Sequence, residues 1–169
     1  MAGKSLFRED VPEIVIKSIF STYDKDGSGF LEKSEILAML LGDMGLDEKQ
    51  AEVCFMLIDK DGNKSVSFPE LAEWFRKGKG FKVVDDQSRY AFVRSVADHF
   101  KEYDKDASGV IDRNEFRALL ASGNKDWNRC SEEDIARALK TVDKDGSGTV
   151  SFSEYLAWMD TRNANTCRK

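Results

Sequence analysis

A chain of 169 residues with a net charge of −5 has room for one sizeable domain or two small lobes, and its acidic balance argues against nucleic acid as a partner. Three widely separated cysteines (Cys54, Cys130, Cys167) and one histidine fit neither a disulfide framework nor a zinc site, and point to a reducing, cytoplasmic setting. No signal peptide or membrane-spanning apolar run is evident, and Ala2 stands where N-myristoylation needs glycine, so membrane insertion and acylation are not expected.

Hydrophobic spacing predicts an opening amphipathic helix through Ile16, Ile19, Phe20 and Tyr23, with Pro12 in its first turn, where a missing N–H is harmless. An acidic loop follows from Asp24 to Glu35, then a second apolar face at Ile36, Met39 and Leu40. Asp47 and Gln50 read as a capping box that starts the next helix, which carries Cys54 at a core position and runs into a second loop, Asp59 to Glu70. Beyond Trp74, the stretch Arg76-Lys77-Gly78-Lys79-Gly80-Phe81-Lys82 should not hold an unbroken helix, because each glycine costs roughly 1 kcal/mol relative to alanine. It reads as a solvated hinge, with Phe81, Val83 and Val84 available for packing in a more compact body. Val96, His99, Phe100 and Tyr103 then repeat the opening helix, with His99 read as a packed core histidine. They lead into a third loop, Asp104 to Glu115, followed by Phe116, Leu119 and Leu120. After a polar stretch containing Trp127, Ser131 caps a helix with Asp134 in support, the fourth loop spans Asp143 to Glu154, and Trp158 echoes Trp74.

Each loop places oxygen-bearing side chains at positions 1, 3, 5, 9 and 12 and an apolar residue at position 8. A hard cation such as calcium takes six to eight oxygens at roughly 2.3–2.6 Å, and this spacing lets twelve residues supply them. The first candidate set is Asp24, Asp26, Ser28, the Phe30 carbonyl and Glu35, with Glu32 at the water-mediated ninth position. The second is Asp59, Asp61, Asn63, the Ser65 carbonyl and Glu70, with Ser67 at the ninth position. Asp104, Asp106, Ser108, the Val110 carbonyl and Glu115 form the third set with Asp112. The fourth comprises Asp143, Asp145, Ser147, the Thr149 carbonyl and Glu154 with Ser151. Position 6 needs a left-handed backbone, which Gly29, Gly109 and Gly148 adopt freely. Lys64 in the second loop adds a Cβ penalty of roughly 1–2 kcal/mol, about a tenfold loss of affinity. The expectation is three strong calcium sites and a weaker fourth at Asp59–Glu70.

These loops and their flanking helices resemble the calmodulin superfamily of four-EF-hand proteins over about residues 10 to 160. The resemblance implies an all-α fold of two lobes, each with two paired helix–loop–helix hands joined by a short two-residue β-ladder. The ladders should pair Leu31 with Val66 and Ile111 with Val150. The division expected is residues 1–78, a linker at 79–85, and residues 86–169. The resemblance carries no catalytic activity, and no P-loop, nucleophile elbow or kinase signature appears in the chain. It leaves a monomeric sensor whose lobes open on calcium to engage an amphipathic target helix, a buffer similar to sarcoplasmic calcium-binding proteins with compact lobes and no target, or, third in order, a regulatory subunit that acts only when bound to an enzyme. Few methionines and many aromatics distinguish the chain from a promiscuous binder.

Because the first and third loops have four acidic positions and the others three, the odd sites should bind more tightly. Isothermal titration should therefore find Glu115→Gln costing more calcium affinity than Glu70→Gln. The reverse order would remove ligand charge as the ranking factor.

Overall fold

The computed structural model describes residues 11–77, 79–123 and 131–166; Trp127, Cys130, Cys167, Gly78 and the N-terminal tripeptide lie outside this set. In chain order the elements are α1 (Glu13–Tyr23), β1 (Phe30–Glu32), α2 (Lys33–Gly42), α3 (Glu48–Ile58), β2 (Ser65–Ser67), α4 (Phe68–Lys77), α5 (Lys79–Asp85), α6 (Gln87–Tyr103), β3 (Val110–Ile111), α7 (Arg113–Gly123), α8 (Glu132–Val142), β4 (Val150–Ser151) and α9 (Phe152–Thr166). The described residues are thus mainly helical, with two small antiparallel sheets, β1–β2 and β3–β4. They divide into two compact units: one runs up to Lys60 and resumes over Lys64–Arg94, the other takes Asp61–Asn63 and the chain from Ser95 onward, so the main boundary falls inside α6.

Helix starts follow local chemistry. The Asp47 carboxylate accepts the Gln50 N–H at 2.8 Å while the Gln50 side chain accepts the Asp47 N–H at 3.1 Å, which satisfies two donors that α3 would otherwise leave open. Ser131 and Asp134 do the same for α8. Pro12 sits one residue earlier than expected, at the cap of α1 instead of inside its first turn. Its ψ of 143° is extended, and its carbonyl accepts the N–H groups of Val15 and Ile16.

The ladder registers are Leu31 opposite Val66 and Ile111 opposite Val150, as the sequence predicts. β1–β2 is longer than expected by one residue, adding both Phe30–Ser67 and Glu32–Ser65 pairs around the central one. All four position-8 side chains are fully buried. In the first unit they close a core of Ile16, Phe20, Ile36, Leu40, Cys54 and Leu71. Burial pushes the Cys54 thiol up to about 12, so it stays neutral and serves packing. In the second unit the core includes Val96, Phe100, Phe116, Leu120, Ile135 and Tyr155. Half-buried His99 is a packed residue in this core, its ring nitrogen bonded to the Tyr155 hydroxyl.

The two units repeat one aromatic contact. Phe20 meets Phe68 edge-on at 5.7 Å, and Phe100 meets Phe152 edge-on at 5.5 Å. Each pair ties the helix entering an odd loop to position 10 of the even loop, so it crosses between hands, and such geometry adds to the apolar burial.

Residues 79–85, expected as a linker that overlaps the solvated hinge read at Arg76–Lys82, form α5, which touches both α3 and α4. Val84 packs on the first core. Tertiary docking outweighs glycine's weak local propensity here. Helicity is nonetheless interrupted at Asp86, between α5 and α6.

Phe100 is 1% exposed and contacts both Phe152 and Tyr155. Phe100→Ala should lower unfolding free energy by about 3–5 kcal/mol, measured as a fall in denaturant midpoint at unchanged slope.

Candidate metal centres

The same hydrogen-bond scheme builds all four loops. The position-1 aspartate turns one carboxylate oxygen to the N–H of position 6: Gly29 to Asp24 at 3.1 Å, Lys64 to Asp59 at 2.9 Å, Gly109 to Asp104 at 2.9 Å and Gly148 to Asp143 at 2.9 Å. The position-12 glutamate folds back across the loop, and one of its oxygens accepts the N–H of position 2. These bonds join Lys25 to Glu35 (3.0 Å), Lys60 to Glu70 (3.0 Å), Lys105 to Glu115 (2.8 Å) and Lys144 to Glu154 (2.7 Å). Its second oxygen accepts the N–H of position 9: Glu32, Ser67, Asp112 or Ser151.

These bonds draw three carboxylates together in each loop: Asp24, Asp26 and Glu35; Asp59, Asp61 and Glu70; Asp104, Asp106 and Glu115; Asp143, Asp145 and Glu154. Within each set, ligand-capable atoms lie within 4.8 Å of one another. The backbone N–H of Ser28 holds the Asp26 carboxyl below its usual range, and that of Ser147 does so for Asp145. Crowded, ionised carboxylates repel, and an all-oxygen donor set of this kind fits a hard divalent cation. The position-5 hydroxyls of Ser28, Ser108 and Ser147 donate to the carbonyls of Phe30, Val110 and Thr149, which places two further candidate oxygens side by side. In the second loop Asn63 instead bonds Asp61 through its side-chain amide at 2.7 Å. A bound calcium ion would supply charge neutralisation at each centre; the residues supply the cradle.

The turns carry the strain. At position 6, Gly29, Gly109 and Gly148 have φ of 82°, 91° and 85°, and Lys64 is forced to 68°. Position 4 is also left-handed in every loop, with Gly27, Gly62 and Gly146 at 68°, 73° and 77° and Ala107 at 52°. Sequence reasoning missed Ala107. The signal was present, since the other three loops all have glycine at that position. The capping role of the closing glutamates was missed too. Glu35 and Glu32 form a full capping box at the start of α2, and Ser67-x-x-Glu70 and Ser151-x-x-Glu154 carry the same pattern.

Helix pairs are also tied across the odd hands. The Tyr23 hydroxyl, at the end of α1, donates to Asp43 just after α2 at 2.6 Å, and Tyr103 at the end of α6 donates to Ser122 in α7. Burial and the Asp43 carboxylate push the Tyr23 phenol up to about 12, so it remains a donor at neutral pH.

Helix–loop–helix units joined in pairs around oxygen-rich loops define a calcium-binding protein of the EF-hand class. The chain belongs to the EF-hand domain-pair family, within the calmodulin superfamily, and matches that family over residues 13–76 and 94–160. It is 28% identical over 124 residues to calmodulin-like protein 6 of Oryza sativa subsp. japonica, covering 72% of this chain and 69% of that protein. Calcium-dependent protein kinase 10 of Arabidopsis thaliana is 26% identical over 78% of this chain, and calcium-dependent protein kinase 9 of Oryza sativa subsp. japonica is 31% identical over 70% of it. The chain spans only 23% and 19% of the length of those kinases. A solved homolog of programmed cell death 6 protein from Leishmania major Friedlin is 24% identical, covering 85% of this chain and 73% of that one, with a TM-score of 0.37. Among the described residues no helix is long and apolar enough to cross a membrane.

A Cβ in the left-handed region costs roughly 1–2 kcal/mol, which the bound ion must offset if the loop relaxes when empty. Lys64→Gly and Ala107→Gly should each tighten calcium binding in their own lobe by about tenfold, read by isothermal titration.

Proposed function

We propose that this protein is a monomeric calcium sensor, without catalytic activity of its own, whose lobes open on binding calcium to engage an amphipathic target helix. The observation that carries this reading is one strained, non-glycine turn per lobe, Lys64 at φ 68° and Ala107 at φ 52°. A buffer works with sites of about 10⁻⁹–10⁻⁸ M, and sensors respond at about 10⁻⁷–10⁻⁵ M. A penalty of about tenfold in one loop of each pair moves both lobes toward the sensor range, because each ladder couples the strained loop to its partner. Ligands would be the carboxylates, hydroxyls and carbonyls of the four loops, with the Asp59–Glu70 site weakest. The name of the calmodulin-like relative accords with this reading.

The buffer reading draws on one feature of the second unit. Tyr155 is fully buried, bonds His99 and contacts the rings of Phe100 and Trp158, a network that resists rearrangement.

An apolar-sensing dye should bind the full chain more strongly when calcium is present. Complete titration of the sites with no change in dye signal would leave the buffer.

A further inference from the structure

The connection after α4 is built as a specific structure. The Asp86 N–H donates to the Lys82 carbonyl at 3.0 Å at the end of α5, and its carboxylate accepts the N–H groups of Ser88 and Arg89 at 3.0 and 3.1 Å at the start of α6. One residue thus closes the end of α5 and caps the start of α6. On one side of it α5 touches α3 and α4, the two arms of the second hand, and Val84 packs on the first core. On the other side, the Tyr90 hydroxyl is enclosed, and burial raises its pKa, with the charge of Asp47, the cap of α3, adding to the rise. No acceptor lies within bonding distance of its proton, and the nearby Arg94 guanidinium can only donate. The first compact unit accordingly extends through Arg94.

We infer that Lys79–Arg94 is the first lobe's own occupant, a segment seated on the second hand that calcium must release before an external helix can bind there. This rests on the sensor reading. A segment that touches both arms of one hand cannot keep both sets of contacts when the angle between those arms changes. Seating and calcium binding therefore oppose one another, and by linkage each weakens the other by the same factor. The enclosed Tyr90 hydroxyl leaves the seat weaker than its apolar contacts alone would make it, because a buried donor without an acceptor is unfavourable. That imperfection keeps release within reach of ion binding.

The test uses the full chain and two variants with opposite expected signs. Val84→Asp places a charge against the core and weakens the seat, so calcium affinity of the first lobe should rise by about fivefold or more, the lower end of ordinary coupling. Tyr90→Phe removes the enclosed hydroxyl and strengthens the seat, so that affinity should fall; it also remains informative if the aspartate variant does not fold. Amide hydrogen exchange across Lys79–Arg94 should accelerate when calcium is added. The inference is overturned if both variants shift melting temperature while leaving first-lobe affinity unchanged, or if calcium increases protection of this segment. A calcium-dependent dye signal with silent variants would leave the sensor standing and remove the seat. Opposite affinity shifts without any dye signal would retain the seat as a brake on calcium binding and remove the sensor.

Discussion

Two short ladders hold the metal-binding loops in fixed relation to one another. A sheet of two or three residues per strand has little stability by itself. Here it persists because Leu31, Val66, Ile111 and Val150, at its centre, are each fully buried in the core beneath. Those side chains follow directly after the position-7 residues, whose carbonyls accept the position-5 hydroxyls in the first, third and fourth loops. Packing below therefore fixes the positions of oxygens above, and displacement of one loop is transmitted across a backbone hydrogen-bonded pair to the next. A turn strained at Lys64 or Ala107 is for that reason a property of a lobe more than of a single loop.

The lobes repeat the same contacts with different chemistry at their ends. Phe20–Phe68 and Phe100–Phe152 are the same edge-on pair, and both odd hands join their helix ends through a tyrosine hydroxyl. In the first lobe the acceptor is the carboxylate of Asp43, whereas in the second it is the hydroxyl of Ser122. Charge-assisted bonds are the stronger kind. The second lobe compensates with rings, as Tyr155 draws His99, Phe100 and Trp158 together. Stabilising contacts are thus placed differently in the two lobes, polar and peripheral in one, aromatic and central in the other.

The loops were readable in sequence because cation geometry allows few spacings, and twelve residues contain the whole candidate set. Ladder register was equally plain, since an apolar residue at position 8 of an otherwise polar loop has only the core to enter. Ala107 was overlooked because alanine is unremarkable in most settings, and only the glycines at the same position in the other loops reveal the backbone it must adopt. The α5 helix was hidden for a different reason. Gly80 lowers local propensity, while the contacts of α5 with α3 come from residues distant in the chain. Tyr23 and Tyr103 were seen as apolar members of a helix face, and nothing local identifies partners on the far helix of the hand.

The closing glutamates have two attachments. Glu35 faces the candidate ion site with Asp24 and Asp26, and its side chain also accepts the N–H of Glu32 at the first turn of α2. Glu70, Glu115 and Glu154 do the same before α4, α7 and α9. An ion held by such a carboxylate would therefore bear on the root of a helix. In this design the message has no relay to cross: the group that would detect the metal and the lever it would move are parts of one amino acid.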